Sequence, residues 1–336
     1  MSELVVFGFL ALSILAYGVT GGADFGVGIL ESLAPRAERS RIRSLGEHAI
    51  APVWEANHIW LIIALVICFV GYPGVHVYLT TFLHVPLLVM LIGIILRGTA
   101  FTFRYYDVGE QPAGGGPWTP LFRAGSLMVP FAFGVIAAAL RGGRMPATPS
   151  TVWETYFTPW LAPFPLATGL FAVTICAWLA AVFLVGECTP EEHASWARRA
   201  RAATFAMVLA GALATAAGLS GPASSSLGVL GHPVALASTV AATLALFPMW
   251  LLLGGARFWT QRLLAGTILG AVLLGYFGVD TGLAVLLDDG TQLRWDAEAA
   301  PEATLEALAT ALVVAALCVL PGLVWLYRLF KQPRTA

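Results

Sequence analysis

Charge is what this sequence has least of. Only 11% of its 336 residues are Asp, Glu, Lys or Arg, less than half of the roughly 25% usual in a soluble domain. Its 18 basic and 19 acidic residues leave a formal net charge of −1, so the basic excess that nucleic acid demands is missing. With 58% hydrophobic residues, a soluble fold of this length would expose more apolar surface than it could cover. A soluble enzyme, a disordered chain and a nucleic-acid binder are thereby excluded. Cysteine is nearly as scarce: Cys68, Cys176 and Cys318 lie inside long apolar runs and Cys188 in a short loop, with no C-x-x-C spacing. That argues against a disulfide framework and against a zinc site, and no metal is expected.

What the chain has in abundance is long apolar runs that do not alternate, which also excludes a transmembrane barrel. The fold class is all-α and polytopic. Nine stretches reach the roughly 20 residues a helix needs to cross the hydrocarbon core: 4–30, 49–72, 75–101, 121–140, 163–185, 202–219, 234–253, 263–279 and 305–327. The first lacks the basic start of a signal peptide and outlasts its apolar segment, so it is retained as a span. The segments that join odd-numbered spans to the next, together with the C-terminal tail, hold 15 of the 18 basic residues; Arg141, Arg144 and Arg294 are the rest. By the positive-inside rule the odd loops are cytoplasmic, the N-terminus is outside and the C-terminus inside, as an odd number of spans requires. Loop 35–48, with Arg36, Arg39, Arg41 and Arg43, is read as a cytoplasmic connection, and 288–306 as an acidic, solvated outer loop.

Spans one to four and five to eight start about 155 residues apart, and a shift of four spans keeps both halves in the same orientation. The expectation is one integral-membrane domain, 1–336: a four-helix bundle over 1–140, a second over 163–280, and a ninth helix at 304–327.

An ionisable group inside a span costs several kcal/mol unless paired, so each is a functional candidate. Asp24 in span one, Glu55 in span two and Arg97 in span three fall at a similar depth on the inner side. Arg suits the forking of a carboxylate, so an ion-paired staple is one reading. The other is a proton entrance, in which a carboxylate held in low dielectric accepts and passes on protons. The run from Pro52 to Trp60 tips the balance: Glu55 and His58 share one helix face, with Trp54 and Asn57 beside them and Trp60 closing the run. Such polarity can hold water in a hydrogen-bonded relay. Haem between His58 and His84, at comparable mid-membrane depth, is conceivable but disfavoured, because repeated histidine pairs are missing. Gly18, Gly21, Gly22, Gly26 and Gly28 crowd the inner half of span one, where they allow close helix approach.

These residues carry a resemblance. The run Thr20-Gly-Gly-Ala-Asp24-Phe-Gly-Val-Gly28-Ile-Leu30 resembles the first-span motif of subunit II of cytochrome bd-type quinol oxidases. The run Ile50-Ala-Pro-Val-Trp54-Glu-Ala-Asn57-His-Ile-Trp60-Leu-Ile62 resembles its second-span motif. Arg97 and the Trp295-Asp296-Ala297 run match as well, and the length and nine-span topology agree. The resemblance implies a membrane subunit of an enzyme that oxidises quinol and reduces O2 to water. It would sit in the bacterial cytoplasmic membrane and pair with a subunit I that holds haem b and haem d. This chain would bind no haem, and a small single-span accessory subunit and a structural quinone or lipid are left open. The acidic residue of the second-span motif, implicated in a proton path, maps onto Glu55, with Asp24 and His58 on the path. Arg97, Trp54, Asn57, Trp60 and Asp296 would support it. The chain departs from the family where it reads Glu55-Ala56-Asn57-His58 for Asp-Gly-Asn-Gln, and Gly21-Gly22-Ala23-Asp24 for Asp-Gly-Phe-Asp. It therefore resembles a divergent member, of the kind found in cyanide-insensitive variants. Two other readings stand beside this one: a proton-coupled secondary transporter using Asp24 and Glu55, and a purely structural membrane subunit.

Overall fold

The computed structural model describes residues 1–50, 54–106, 116–221, 233–255, 257–277 and 282–330. The side chains of 48–50, 54–56, 105–106, 276–277, 323–324 and 326–330 fall outside that description. Twelve helices appear among the described residues: α1 (Ser2–Leu33), α2 (Arg36–Ile50), α3 (Trp54–Gly71), α4 (Pro73–Phe82), α5 (His84–Tyr106), α6 (Trp118–Arg141), α7 (Val152–Tyr156), α8 (Pro163–Val185), α9 (His193–Leu219), α10 (Pro233–Leu252), α11 (Phe258–Phe277) and α12 (Glu302–Phe330). A two-stranded hairpin, β1 (Leu283–Leu286) and β2 (Gln292–Arg294), precedes α12. Eight of the helices are long and apolar enough to cross a membrane, and counting α3 and α4 as one bent span gives nine.

The long helices alternate in direction between an arginine-rich end and the end capped by the hairpin. α1 is the shared element. Its 32 residues extend about 48 Å at 1.5 Å per residue, well beyond a hydrocarbon core of about 30 Å. Its first half, with Val6 and Leu10, enters a core at the hairpin end formed with α3, α4, α6, the hairpin and α12. Its second half, with Ala23 and Val27, enters a core at the arginine-rich end formed with α2, α8, α9, α10 and α11. α5 packs on α6, α6 on α8, α8 on α9, and α10 on α11, while α12 lies on α1 and α3. The glycines of α1 permit this crowding. Gly26 lies where any Cβ would run into the Cys176 carbonyl of α8, and Gly28 where one would strike the Ser126 hydroxyl of α6.

Two expectations need correction. The segment 35–48, read as a connection, is the helix α2, which buries Ile42 and Leu45. Its four arginines mask that apolar pair in a composition-based reading. The third span does not run from 75 to 101: α4 turns away from α3 by 113°, and the crossing helix starts at His84. Proline supplies the reason at both breaks. Pro73 opens α4 after Tyr72 leaves helical geometry at φ −136° and ψ 63°, and Pro86 has no N–H to continue a helix out of α4. Because both segments are apolar, hydropathy merged them.

The acidic segment before α12 is more ordered than a solvated loop. β1 is buried along its length and pairs antiparallel with β2, Leu283 facing Arg294 and Leu286 facing Gln292. Gly290, at φ 86°, provides the left-handed residue its turn requires. Trp295 meets Tyr72 edge-on at 4.9 Å and Phe7 at 5.9 Å, fastening the hairpin over α1 and the junction of α3 with α4.

Candidate functional site

At the arginine-rich end the structure brings Asp24 and Arg97 together. Asp24 lies 22 residues into α1, so about 33 Å from its start, and Arg97 reaches it from α5 across α6. An Arg97 terminal nitrogen donates to Asp24 Oδ1 at 2.6 Å and to the Asp24 carbonyl at 3.1 Å, and Arg97 Nε donates to the Ser126 hydroxyl at 3.2 Å. The guanidinium lies between the rings of Phe25 and Phe122, 4.8 Å from each centroid. Both charged side chains are at most 3% exposed. Gly125 on α6 allows the approach, since a Cβ there would lie 2.8 Å from Arg97 Cβ. Asp24 Oδ2 is buried without a hydrogen-bond partner among the described residues.

A second ionic cluster lies two helical turns further along α1. Glu31, with no exposed side-chain surface, accepts from Arg123 of α6 at 3.0 Å, Arg43 of α2 at 3.1 Å and Arg104 of α5 at 3.3 Å. Arg104 also pairs with Glu47 at 3.3 Å and lies 4.3 Å over the Phe122 ring. Burial raises the Glu47 carboxyl above the usual carboxylate range, with Arg104 and Arg43 opposing the shift. Asp24 and Glu31 are seven apart on α1, and Arg97 and Arg104 seven apart on α5, so two parallel helices present matching rungs with Phe122 between the arginines. Sequence reasoning missed Glu31, which hydropathy places at a span end. The paired spacing of seven was the available signal.

α3 meets this region through Asn57, which is buried and donates to the Thr20 carbonyl at 3.4 Å. His58, half-buried, faces the Tyr17 ring edge-on at 6.2 Å. Trp60 packs against the cluster of Tyr17, Phe25 and Val129. Trp54 and Glu55 occupy the first turn of α3, and their side chains lie outside the described residues. Asp296 is not part of this assembly. It belongs to the opposite end beside the hairpin, exposed, 3.4 Å from Arg294 Nε. The expected level between His58 and His84 is also corrected. His84 is the first residue of α5, 13 residues before Arg97 and thus about 20 Å from it, with Nδ1 2.9 Å from the Thr81 carbonyl and its ring on Tyr156. His58 and His84 therefore do not face each other at one level. No metal-ligating cluster occurs among the described residues.

Helices of this length, packed around ion pairs removed from water, define a multi-pass membrane protein. The chain belongs to the cytochrome bd terminal oxidase subunit II family, which it matches over residues 2–330. It is 26% identical over 205 residues to the cytochrome bd-I ubiquinol oxidase subunit 2 of Escherichia coli K12, covering 60% of this chain and 53% of that one. It is 25% identical over 178 residues to the cytochrome bd ubiquinol oxidase subunit 2 of Bacillus subtilis, covering 52% and 51%. The chain thus spans about half the length of the curated relatives it matches. Its fold is similar to a chain of the bd oxidase from Geobacillus thermodenitrificans, with a TM-score of 0.75, 19% identity and 98% of each chain covered.

Proposed function

We propose that this chain is the haem-free second subunit of a membrane quinol oxidase and gives that complex a proton route at its arginine-rich end. Its partner would be a subunit I that carries the b and d haems, oxidises quinol and reduces O2 to water. Reducing O2 consumes protons, and a membrane enzyme must bring them through low dielectric without stranding charge. The observation that carries the reading is the Asp24–Arg97 pair: a buried carboxylate held at one oxygen and open at the other, next to the helix that bears Glu55. Arg97 holds Asp24 Oδ1 at 2.6 Å, which leaves the second carboxylate oxygen to orient proton-bearing groups. Glu55 is the residue that takes up and releases the proton, with Asp24 and His58 on the same route. Trp54, Asn57 and Trp60 shape its walls.

The arginine-rich end faces the cytoplasm in this reading, and the N-terminus lies outside. The two halves, 1–140 and 163–280, act as two helical bundles with α12 appended. Membership of the family favours the oxidase reading over a secondary transporter. The test is Glu55→Gln in the assembled complex, in which O2 consumption falls while haem content stays at the wild-type level. A Glu55→Gln complex that turns over at the wild-type rate would contradict the role.

A further inference from the structure

Four buried side-chain polar atoms on α1 and α3 have no hydrogen-bond partner among the described residues: Asp24 Oδ2, Asn57 Oδ1, the Tyr17 hydroxyl and the Ser13 hydroxyl. Their residues are 2%, 2%, 5% and 0% exposed. A buried polar group left unpaired costs about 1–3 kcal/mol, and native proteins answer such groups with internal water where several of them converge.

The four lie on adjoining structure. Ser13, Tyr17 and Asp24 share a face of α1 at spacings of four and seven. Asn57 touches that face through the Thr20 carbonyl, 3.4 Å away. The Tyr17 ring stands edge-on to Phe25 at 6.2 Å, and Phe25 in turn lies under the Arg97 guanidinium that holds Asp24. On its other side the same ring meets His58, also at 6.2 Å. Gly21 makes this placement possible: a Cβ there would come within 3.0 Å of the Tyr17 ring, so the phenol lies along α1 over the turn that leads to Asp24. Phe133 and Val129 also line the ring, and the described titratable neighbours of Tyr17 are Asp24, Arg97, Cys176 and His58.

We propose that Tyr17 is a further proton-carrying residue, which extends the route beyond Asp24 toward the middle of the membrane through water held between its hydroxyl, Asp24 Oδ2 and Asn57 Oδ1. The proposal rests on the proton-route reading above. In each transfer the phenol oxygen accepts a proton from the water on the Asp24 side and releases its own proton to the water on the Asn57 side. One O–H bond forms as one breaks, and no phenolate persists. From Asp24 to Tyr17 is 7 residues, about 10 Å along α1, or about a third of the hydrocarbon thickness.

The test is Tyr17→Phe, which deletes the hydroxyl and keeps the ring on Phe25 and His58, measured beside Glu55→Gln in the assembled oxidase. The expected result is kcat lowered by about tenfold, an unchanged KM for quinol, wild-type haem content and a larger solvent deuterium isotope effect. If Glu55→Gln is slow and Tyr17→Phe keeps the wild-type rate, this inference is overturned while the route at Glu55 stands. If Glu55→Gln keeps the wild-type rate, the underlying reading falls, and Tyr17 with it. Should Tyr17→Phe fail to assemble, the wild-type complex decides. A density map that resolves ordered water supports the proposal if it shows water within hydrogen-bond reach of both the Tyr17 hydroxyl and Asp24 Oδ2, and a dry contact there overturns it.

Discussion

Asp24 and Arg97 illustrate how a buried ion pair constrains substitution. Removing one partner leaves an uncompensated charge out of water, which costs about 3–5 kcal/mol, whereas removing both leaves none. Asp24→Asn or Arg97→Gln alone is therefore expected to lower the thermal stability of the complex more than the double variant Asp24→Asn/Arg97→Gln does. Melting of the purified complex and its three variants checks this as a double-mutant cycle. Asp24 and Arg97 were legible in the sequence because each interrupts an apolar run. Glu31 was not, because it stands where a span ends and a charge there looks ordinary. Its three arginine partners come from α2, α5 and α6, so its burial is a product of tertiary packing. Gly21 marks a departure from the family motif, and the structure shows the Tyr17 ring lying over it.

At the scale of elements, the arginine-rich end is tied together by forks between segments far apart in sequence. Arg41 of α2 makes two hydrogen bonds to Glu192, at 2.7 and 2.6 Å, just before α9. Arg262 of α11 reaches Glu187 at 2.6 Å, and Arg199 of α9 pairs with Glu38 of α2. The Arg41 contact holds the Glu192 carboxyl down at about 2. A carboxylate depressed in the folded state contributes stability above its unfolded value of about 4.3, and loses it as pH falls through the folded value. Both partners are partly exposed, so the contribution is about 0.2–1 kcal/mol. Glu192→Gln is expected to melt slightly below wild type at pH 7, with the gap closing as the pH is lowered from 4 to 2.

The breaks on either side of α4 mark the limit of what the sequence shows of the elements. Pro73 and Pro86 were visible, yet a Pro inside an apolar run is tolerated in membrane helices, and the 113° turn is fixed by packing under the hairpin. The hairpin itself was hidden by its acidic turn, since Leu283–Leu286 is too short a segment to signal a strand against nine stronger helical runs.

For the whole molecule, composition and run length were enough to give the class, the number of crossings and the sorting of basic residues, because the bilayer leaves few alternatives. They could not give which helices touch. The asymmetry of charge yields a prediction about orientation. In a variant chain without Cys188, a cysteine placed at Asp289 in the hairpin turn is expected to react with a membrane-impermeant maleimide added to intact cells. One at Glu191, beside the arginine-rich forks, is expected to react only after permeabilisation. The opposite pattern would reverse the proposed sidedness and move the ion pairs to the outer face.

The central claim is that the charged end of this subunit carries protons for the oxidase in which it sits. Steady-state O2 consumption by the purified, haem-replete complex bearing Glu55→Gln measures this most directly. The account predicts turnover slowed by about tenfold or more at wild-type haem content and subunit ratio. Turnover at the wild-type rate in that same assembled complex would contradict it.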